Sequence, residues 1–282
     1  MADPRITPAR GDIAAKHLEG QVTAARFVEG DTLVVVDSIA PLRLQPFSGA
    51  ELATQALRGE RVTIYDRNGE GWAWGQLEAD HYVGWLPEAA LAPPAALPTH
   101  RISALRSFAF PGPSIKLPPV DTLVMGAAIA VIREEASFVV TPEGWFVPRQ
   151  HVAARDHVEP DYVAVAERFV GTPYLWGGKS SLGVDCSGLV QLSLNAAGIA
   201  CPRDSDMQLA ALGHALDDSE RTQLRRGDLI FWKGHVAIVR DADTIVHANA
   251  FHMATQIELI TDAIARIKAS GSEVLAIKRL DS

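Results

Sequence analysis

Cysteine is scarce in this sequence, which has only Cys186 and Cys201 among its 282 residues. Two thiols cannot build the disulfide framework that stabilises small secreted domains. The fold therefore depends on buried apolar side chains, and a hydrophobic content of 48% is ample for that. Cys201 lacks the distinctive surroundings of Cys186 and is interpreted as a packing thiol.

Positive charge and long apolar runs are lacking as well. The net charge is −8 at pH 7, which argues against a nucleic-acid partner and against binding to an anionic membrane. No apolar stretch approaches the length of a membrane span, and the first residues lack the apolar segment of a signal peptide. We therefore expect a cytoplasmic protein with no nucleic-acid or membrane partner, whose oligomeric state the sequence leaves open.

Strand patterns dominate the first half of the chain. Short alternating segments with turn signals between them fill residues 30–92, which predicts a small β-barrel. A proline-rich linker separates them from a second set of short strands within residues 97–155. Residues 1–29 are predicted to be an arm that packs on another part of the protein, with a short helix over 13–18.

The two strand sets end alike. The first ends in GWLP at 84–87, and the second ends about 60 residues later in GWFVP at 144–148. Both endings resemble the last strand of bacterial SH3-like domains, so the resemblance implies two such barrels in tandem. In residues 158–282 helical spacing comes first and alternating strands follow, which is typical of an α+β domain.

A turn-prone, glycine-rich segment ends at Cys186, and an apolar-periodic run then begins at Leu189 and stops at Gly198. This pattern predicts a helix that is capped by Asp185 or Ser187. The unpaired N–H groups and the dipole at a helix start favour a thiolate, which is the nucleophilic form of cysteine. A buried thiol at the start of a core helix is the alternative interpretation.

Two histidines lie on neighbouring predicted strands. His235 follows a tight turn at the start of one strand, and His247 lies near the end of the next. Adjacent antiparallel strands would place the imidazoles side by side, with His235 facing Cys186 as a base and His247 behind it. Each histidine could instead be an ordinary surface or core residue. The three side chains lack the close-spaced ligand pairs of zinc sites, so neither a metal nor a cofactor is expected.

Five sequence blocks resemble those of the NlpC-type papain-like cysteine peptidases, over residues 158–282. They are GTPYLWGG at 171–178, DCSGL at 185–189, RGDLIF at 226–231, GHVAI at 234–238 and HA at 247–248. The resemblance implies a papain-like α+β catalytic domain preceded by the two all-β SH3-like barrels. It implies Cys186 as nucleophile, His235 as general base and His247 as the residue that orients this base. Tyr174 lies twelve residues before Cys186 in a turn that could fold over the site, so its hydroxyl is a candidate further donor, with a structural tyrosine as the alternative. Trp176, Asp185 and Ser187, which also lie in the matched blocks, are further candidate substrate contacts.

The layout resembles one subgroup of that family, the γ-D-glutamyl-L-diamino-acid endopeptidases that act on wall-derived peptides with a free N-terminal L-alanine. In that subgroup an acidic residue and a serine after the cysteine helix hold the substrate, together with an acidic residue and a tyrosine of the first SH3-like domain. Asp204, Ser205 and Tyr82 match by position. The remaining acidic residue is assigned to Glu51, with Glu60 as a rival. For Asp204 and Ser205 a solvated loop that caps the next helix is the alternative.

The leading hypothesis is a cysteine endopeptidase that hydrolyses the γ-D-glutamyl–diamino acid bond of peptides such as L-Ala-γ-D-Glu-diaminopimelate, in murein peptide recycling. An extracellular peptidoglycan hydrolase with SH3-like wall-binding modules is the second hypothesis, and a binding protein without activity is the third. The intact Cys186, His235 and His247 argue against the third hypothesis, and the missing signal peptide argues against the second. The sequence leaves open which diamino acid is accepted and whether intact peptidoglycan is cleaved.

Overall fold

The structure, a computed structural model, describes residues 3–280. Met1 and Ala2, the first of the residues that lack a signal-peptide pattern, lie outside the described residues. Contacts divide the chain into two compact units, Met1–His157 and Val158–Ser282.

The first unit begins with an arm that packs on the strands after it. Its elements are β1 (Ala14–Ala15), a 3-10 turn (Lys16–Leu18) and β2 (Phe27–Val28), and the two strands pair in parallel. The helix predicted over residues 13–18 is present only as the 3-10 turn at Lys16–Leu18, because pairing with β2 takes the backbone groups of Ala14 and Ala15. Ile13 is fully buried against Trp74 and Val83. The arm is thus part of the core of this unit.

An antiparallel sheet of seven strands follows the arm. The strands are β3 (Asp31–Val35), β4 (Ile39–Arg43), β5 (Leu52–Leu57), β6 (Arg61–Arg67), β7 (Trp72–Leu77), β8 (Val83–Pro87) and β9 (Leu91–Ala92). Their order in the sheet is β5-β4-β8-β7-β6-β3-β9. Alternate side chains such as Leu42, Val62 and Leu86 form the buried core, as the period of two predicts.

The second strand set forms three small antiparallel sheets. Its strands are β10 (His100–Ile102), β11 (Arg106–Ala109), β12 (Asp121–Val124), β13 (Ala128–Ile129), β14 (Arg133–Glu134), β15 (Phe138–Val140), β16 (Phe146–Pro148) and β17 (Val152–Ala154). The sheets are β13-β10-β17, β11-β12 and β14-β15-β16. They enclose a core that includes Ile102, Leu123 and Val147. That these strands form a second SH3-like barrel stays a prediction.

The second unit places helices before a six-stranded antiparallel sheet, with a further helix between the last two strands in chain order. Its elements are α1 (Tyr162–Arg168), β18 (Lys179–Ser180), β19 (Gly183–Val184), α2 (Cys186–Ala196), α3 (Ser205–Ala211), β20 (His214–Ala215), β21 (Leu229–Trp232), β22 (His235–Val239), β23 (Thr244–Asn249), β24 (Ala254–Leu259), α4 (Ile260–Ala269) and β25 (Val274–Arg279). The sheet order is β20-β25-β21-β22-β23-β24, and α2 packs against β22 and β23. Among residues 3–280, no helix combines the length and apolarity that crossing a bilayer requires.

Candidate active site

Cys186 is the first residue of α2, as the sequence predicts. The helix cap is Asp185, whose carboxylate accepts a hydrogen bond from the backbone N–H of Gly188 at 2.7 Å. The N–H groups of the first helical turn have no partner within the helix, and that of Cys186 is one of them. The start of α2 therefore places a thiol and backbone donors together.

The thiol of Cys186 lies against the beginning of β22. The backbone N–H of Val236 donates a hydrogen bond to its sulfur, so His235, the preceding residue, lies beside the thiol. Burial, with a smaller contribution from the carboxylate of Asp185, raises the pKa of Cys186 to about 12 against the opposing effect of the Val236 N–H. A thiol in this environment is protonated at neutral pH and needs a neighbouring base to become a nucleophile.

The two histidines form a hydrogen-bonded line behind Cys186. Nε2 of His235 lies 2.9 Å from Nδ1 of His247, and Nε2 of His247 lies 2.9 Å from the Oε2 atom of Glu258. The antiparallel pairing of β22 with β23 brings the rings together. The ring of Trp232 packs on His235 with centroids 5.6 Å apart. These contacts leave Nδ1 as the His235 nitrogen that can serve the thiol.

Both imidazoles are neutral at neutral pH. Burial, with a smaller contribution from the positive charge that His247 can carry, lowers the pKa of His235 to about 3. Burial lowers the pKa of His247 to about 4, against the opposing effect of the hydrogen bond to Glu258. A neutral His235 can accept the proton of the Cys186 thiol, which is what a general base must do.

Asp185 and Ser187 are tied to a buried arginine. Arg203 is 1% exposed and donates to both carboxylate oxygens of Asp185, at 2.9 and 2.7 Å, and to the hydroxyl of Ser187 at 3.0 Å. The N–H of Gly177 also donates to Asp185. These contacts hold the glycine-rich turn against the start of α2. Direct substrate contacts from Asp185 and Ser187 stay predictions.

The other predicted substrate contacts in this unit lie in the glycine-rich segment before Cys186 and at the start of α3. Tyr174 is half-buried, and burial raises the pKa of its hydroxyl, with the charges of Cys186 and Asp185 acting in the same direction. The hydroxyl is therefore protonated at neutral pH and can donate a hydrogen bond. Trp176 is 62% exposed. Asp204 and Ser205 begin α3 and are half-buried.

Tyr82 and its two acidic candidates lie in the first unit, described here by itself. Tyr82 is 5% exposed, contributes to the core of the sheet and directly precedes β8. Glu51 precedes β5, and Glu60 precedes β6. In the sheet order β5 and β6 each lie two strands from β8, on opposite sides. The topology does not choose between Glu51 and Glu60, and all three roles stay predictions.

Three charged residues of the site were missed by sequence reasoning. Arg203 directly precedes Asp204 and Ser205, for which a solvated loop is one interpretation of the sequence, but Arg203 itself is buried. Glu258 and Arg266 were not singled out. The available signal was the alternation of β24, which puts Glu258 on the same face as the residue opposite His247. Within residues 3–280, no group of three or more potential ligands is arranged to hold a metal ion.

Two protein families match parts of the chain. Residues 171–266 match the NlpC/P60 family, and residues 42–91 match the bacterial dipeptidyl-peptidase SH3 domain. The first range contains Cys186, both site histidines and Glu258. The second covers most of the seven-stranded sheet. These matches confirm the resemblance that the sequence blocks carry.

Relatives in full-length comparisons are distant but cover most of the chain. Dipeptidyl-peptidase 6 of Lysinibacillus sphaericus is 26% identical, over 77% of this chain and 87% of the relative. Two proteins named gamma-D-glutamyl-L-lysine dipeptidyl-peptidase are similar. The one from Bacillus cereus is 28% identical over 70% of this chain and 67% of its own length, and the one from Bacillus subtilis is 27% identical over 81% of each.

A crystal structure of an NlpC/P60 family protein from Bacillus cereus has a similar fold. It matches with a TM-score of 0.75 at 22% sequence identity, and the match covers 89% of this chain and 99% of that one. Identity this low supports the fold alone.

Proposed function

Because this chain is a cysteine peptidase with an NlpC/P60 domain C-terminal to a bacterial dipeptidyl-peptidase SH3 domain, we propose that it hydrolyses the γ-D-glutamyl–diamino acid bond of short peptidoglycan-derived peptides. The names of the two Bacillus relatives support this bond. The observation that carries the proposal is the line from His235 to His247 beside Cys186 at a helix start.

In the first step His235 removes the proton of the Cys186 thiol as the sulfur attacks the γ-carbonyl carbon. The resulting imidazolium is stabilised through Nε2, because His247 accepts a hydrogen bond there. The negative charge that develops on the carbonyl oxygen is stabilised by the backbone N–H of Cys186, with the hydroxyl of Tyr174 as a second donor.

In the second step the imidazolium of His235 returns its proton to the amine of the departing diamino acid. A thioester between Cys186 and the γ-carboxyl group remains. His235, again neutral, then removes a proton from water as the water oxygen attacks the thioester carbon. The C–S bond breaks, the γ-carboxyl product leaves, and the imidazolium returns the proton to the thiolate of Cys186. The low pKa of His235 favours both of its proton releases, because a buried imidazolium gives up its proton readily.

Hydrolysis of L-Ala-γ-D-Glu-diaminopimelate, beside the L-lysine peptide and the N-acetylated forms of both, tests this proposal. We expect wild-type protein to cleave at the γ-glutamyl bond and Cys186→Ala to be inactive. Intact peptidoglycan is the third substrate. Preferential digestion of the polymer would support the extracellular wall hydrolase instead, and no cleavage of any substrate by folded protein would contradict a peptidase of this specificity.

We also propose that the enzyme selects peptides with a free amino terminus, with Glu51 or Glu60 as the acidic partner of the substrate amine. A carboxylate that bound substrate covers but does not pair with an ammonium group is left desolvated, which costs several kcal/mol, about 10²-fold or more in kcat/KM, so a blocked amine is rejected. Glu51→Gln and Glu60→Gln distinguish the two candidates. The variant that raises KM for the free peptide identifies the contributing residue, and unchanged KM in both variants would remove both assignments.

Three further points belong to this proposal. A second SH3-like barrel is supported by the strands within residues 100–154 and by their buried core. Murein peptide recycling follows from the preference for small, unblocked peptides. A cytoplasmic location fits recycling, and fractionation of cells that produce the protein tests it.

A further inference from the structure

A carboxylate and a guanidinium extend the line of histidines beyond His247. Glu258 accepts from His247 at 2.9 Å and from Arg266 at 3.1 Å (Nε to Oε1) and 2.7 Å (Nη2 to Oε2). The side chain of His247 is 0% exposed, that of Glu258 is 13% exposed and that of Arg266 is 23% exposed. The guanidinium also stacks on the ring of Phe251, 4.5 Å from its centroid. The group is therefore held on several sides.

The donor and acceptor roles in this line follow from Arg266. A guanidinium only donates hydrogen bonds, so both oxygens of Glu258 act as acceptors. Burial alone would raise the pKa of Glu258, but the hydrogen bonds and charge of Arg266 bring it below its ordinary value. An ionised Glu258 has no proton to give, so the Nε2 atom of His247 must be the donor.

The protonation of His247 in turn fixes the protonation of His235. A neutral His247 with its proton on Nε2 has a free lone pair on Nδ1. The Nε2 atom of His235 lies 2.9 Å from Nδ1 of His247, so it must carry a proton and donate it to the lone pair of Nδ1. A neutral His235 with its proton on Nε2 has its own lone pair on Nδ1, the nitrogen left for the thiol of Cys186.

We propose that Glu258, held by Arg266, is a positioning residue that selects the tautomers of His247 and His235 and so leaves His235 ready to accept the proton of Cys186. The inference rests on the catalytic roles in the proposed function. Glu258 does not touch the substrate or the reacting atoms. Its effect reaches Cys186 through two imidazoles.

Two substitutions that break the same ion pair separate this role from a merely structural one. Glu258→Gln keeps the shape, but an amide cannot accept from His247 and from both nitrogens of Arg266 at once. Whichever way the amide is turned, its NH₂ group faces a donor nitrogen of Arg266, and in one of the two orientations it also faces Nε2 of His247. His247 is therefore no longer confined to one tautomer. Arg266→Met removes the clamp but keeps the carboxylate, which is ionised at pH 8 and still accepts from His247.

The first measurement needs no substrate. Nitrogen-15 spectra of histidine-labelled protein at pH 8 report which ring nitrogen of His247 carries the proton, with His247→Asn used to assign its signals. We expect Nε2–H alone in wild type and in Arg266→Met, and a mixture of tautomers in Glu258→Gln. Alkylation of Cys186 by iodoacetamide should be slowed in Glu258→Gln alone.

The second measurement is hydrolysis of the γ-D-glutamyl peptide at pH 8. We expect kcat of Glu258→Gln to fall about tenfold or more, since general base catalysis supplies about 10²–10⁴ in rate, while KM stays unchanged. Arg266→Met should lose less than Glu258→Gln. Glu167→Gln breaks a comparable pair with Arg240 in the same unit, away from the histidines, and should leave kcat unchanged.

Two results would overturn the inference. One is a single Nε2–H tautomer of His247 in folded Glu258→Gln, and the other is an equal loss of kcat in Glu258→Gln and Arg266→Met. If wild-type protein fails to cleave the peptide, the proposed substrate is wrong, whereas the tautomers and the alkylation rates still decide the role of Glu258.

Discussion

At the scale of single residues, burial controls the charge of the candidate catalytic groups. It raises the pKa of Cys186 and lowers the pKa values of His235 and His247. An isolated thiolate or imidazolium is therefore disfavoured, while the adjacent pair of opposite charges is net neutral and less costly to bury. The resting site holds a neutral thiol beside a neutral base, and the charges appear when the substrate is attacked.

This burial predicts a loss of stability on mild acidification. Unfolded histidines take up protons near pH 6.5, whereas folded His235 and His247 have pKa values of about 3 and about 4. The unfolded state therefore binds more protons as the pH falls from about 6.5 to 4, and stability decreases over that window. With two such histidines, the free energy of unfolding falls by up to about 2.7 kcal/mol for each pH unit of acidification. Urea unfolding at several pH values measures it.

The control for this prediction is His247→Asn, which removes one of the two histidines that take up a proton on unfolding. The free energy of unfolding of this variant should therefore depend clearly less on pH. Arg266, His252 and Glu258 also act on the pKa of His247 and are unchanged in this variant. Equal slopes in wild type and variant would show that other groups cause the pH dependence.

Arg203 provides a second prediction at this scale. Arg203→Met should lower the free energy of unfolding by about 3–5 kcal/mol, because it leaves the carboxylate of Asp185 buried without its partner. Activity should fall too, since Asp185 caps the helix that begins with Cys186. Chemical denaturation and peptide hydrolysis measure the two effects. Arg221→Met, at an exposed pair with Asp218, is the matched control and should change stability by less than about 1 kcal/mol.

At the scale of elements, the start of α2 is built for close approach of the glycine-rich turn. A Cβ atom on Gly188 would lie 2.3 Å from the carbonyl oxygen of Gly178 and 3.0 Å from a carboxylate oxygen of Asp185. Backbone atoms cannot move away cheaply. The glycine therefore belongs to the packing of this turn, even though it lies inside a helix, where glycine is unfavourable.

Gly188→Ala is expected to destabilise the protein by about 1–3 kcal/mol, although alanine is the better helix former by about 1 kcal/mol. It should also reduce kcat, because the clash displaces the cap beside Cys186. Thermal unfolding and peptide hydrolysis test both effects. Asn195→Ala, at an exposed position of α2, should be neutral or slightly stabilising. A Gly188→Ala protein as stable as this control would contradict the packing argument.

At the scale of the whole molecule, the chain consists of two compact units with separate cores. The first unit includes its leading arm, because Ile13 is buried with Trp74, and the guanidinium of Arg10 lies between the rings of Trp74 and Trp85, 4.5 and 4.9 Å from their centroids. The arm therefore contributes to the stability of this unit.

Ile13→Ala should cost about 2–5 kcal/mol in the unfolding of the first unit, through lost burial and the cavity that remains. Ile6→Ala is the control, since Ile6 is 38% exposed and its truncation should cost much less. Urea unfolding followed by tryptophan fluorescence measures both variants. If both lose the same stability, the arm is not anchored by Ile13.

The sequence by itself determined the family, the enzyme class and the local signals around Cys186. The order of the blocks identified an NlpC-type cysteine peptidase, which the family matches confirm. The start of α2 was predictable as well, because capping residues and apolar spacing act within a few residues of each other. The approach of His235 to His247 followed from simple pairing of adjacent strands.

Only the tertiary structure decided which charges meet inside the protein. Arg203 looks like a loop residue until it is seen to bond Asp185, and Glu258 is one carboxylate among many until it is seen to accept from His247 and Arg266. The first part of the helix expected over residues 13–18 also gave way to pairing with β2, which leaves only a 3-10 turn at Lys16–Leu18. Local sequence patterns report the preferences of neighbouring residues, whereas buried partners are selected by the packing of distant segments, where an unpaired charge or backbone group is too costly to leave.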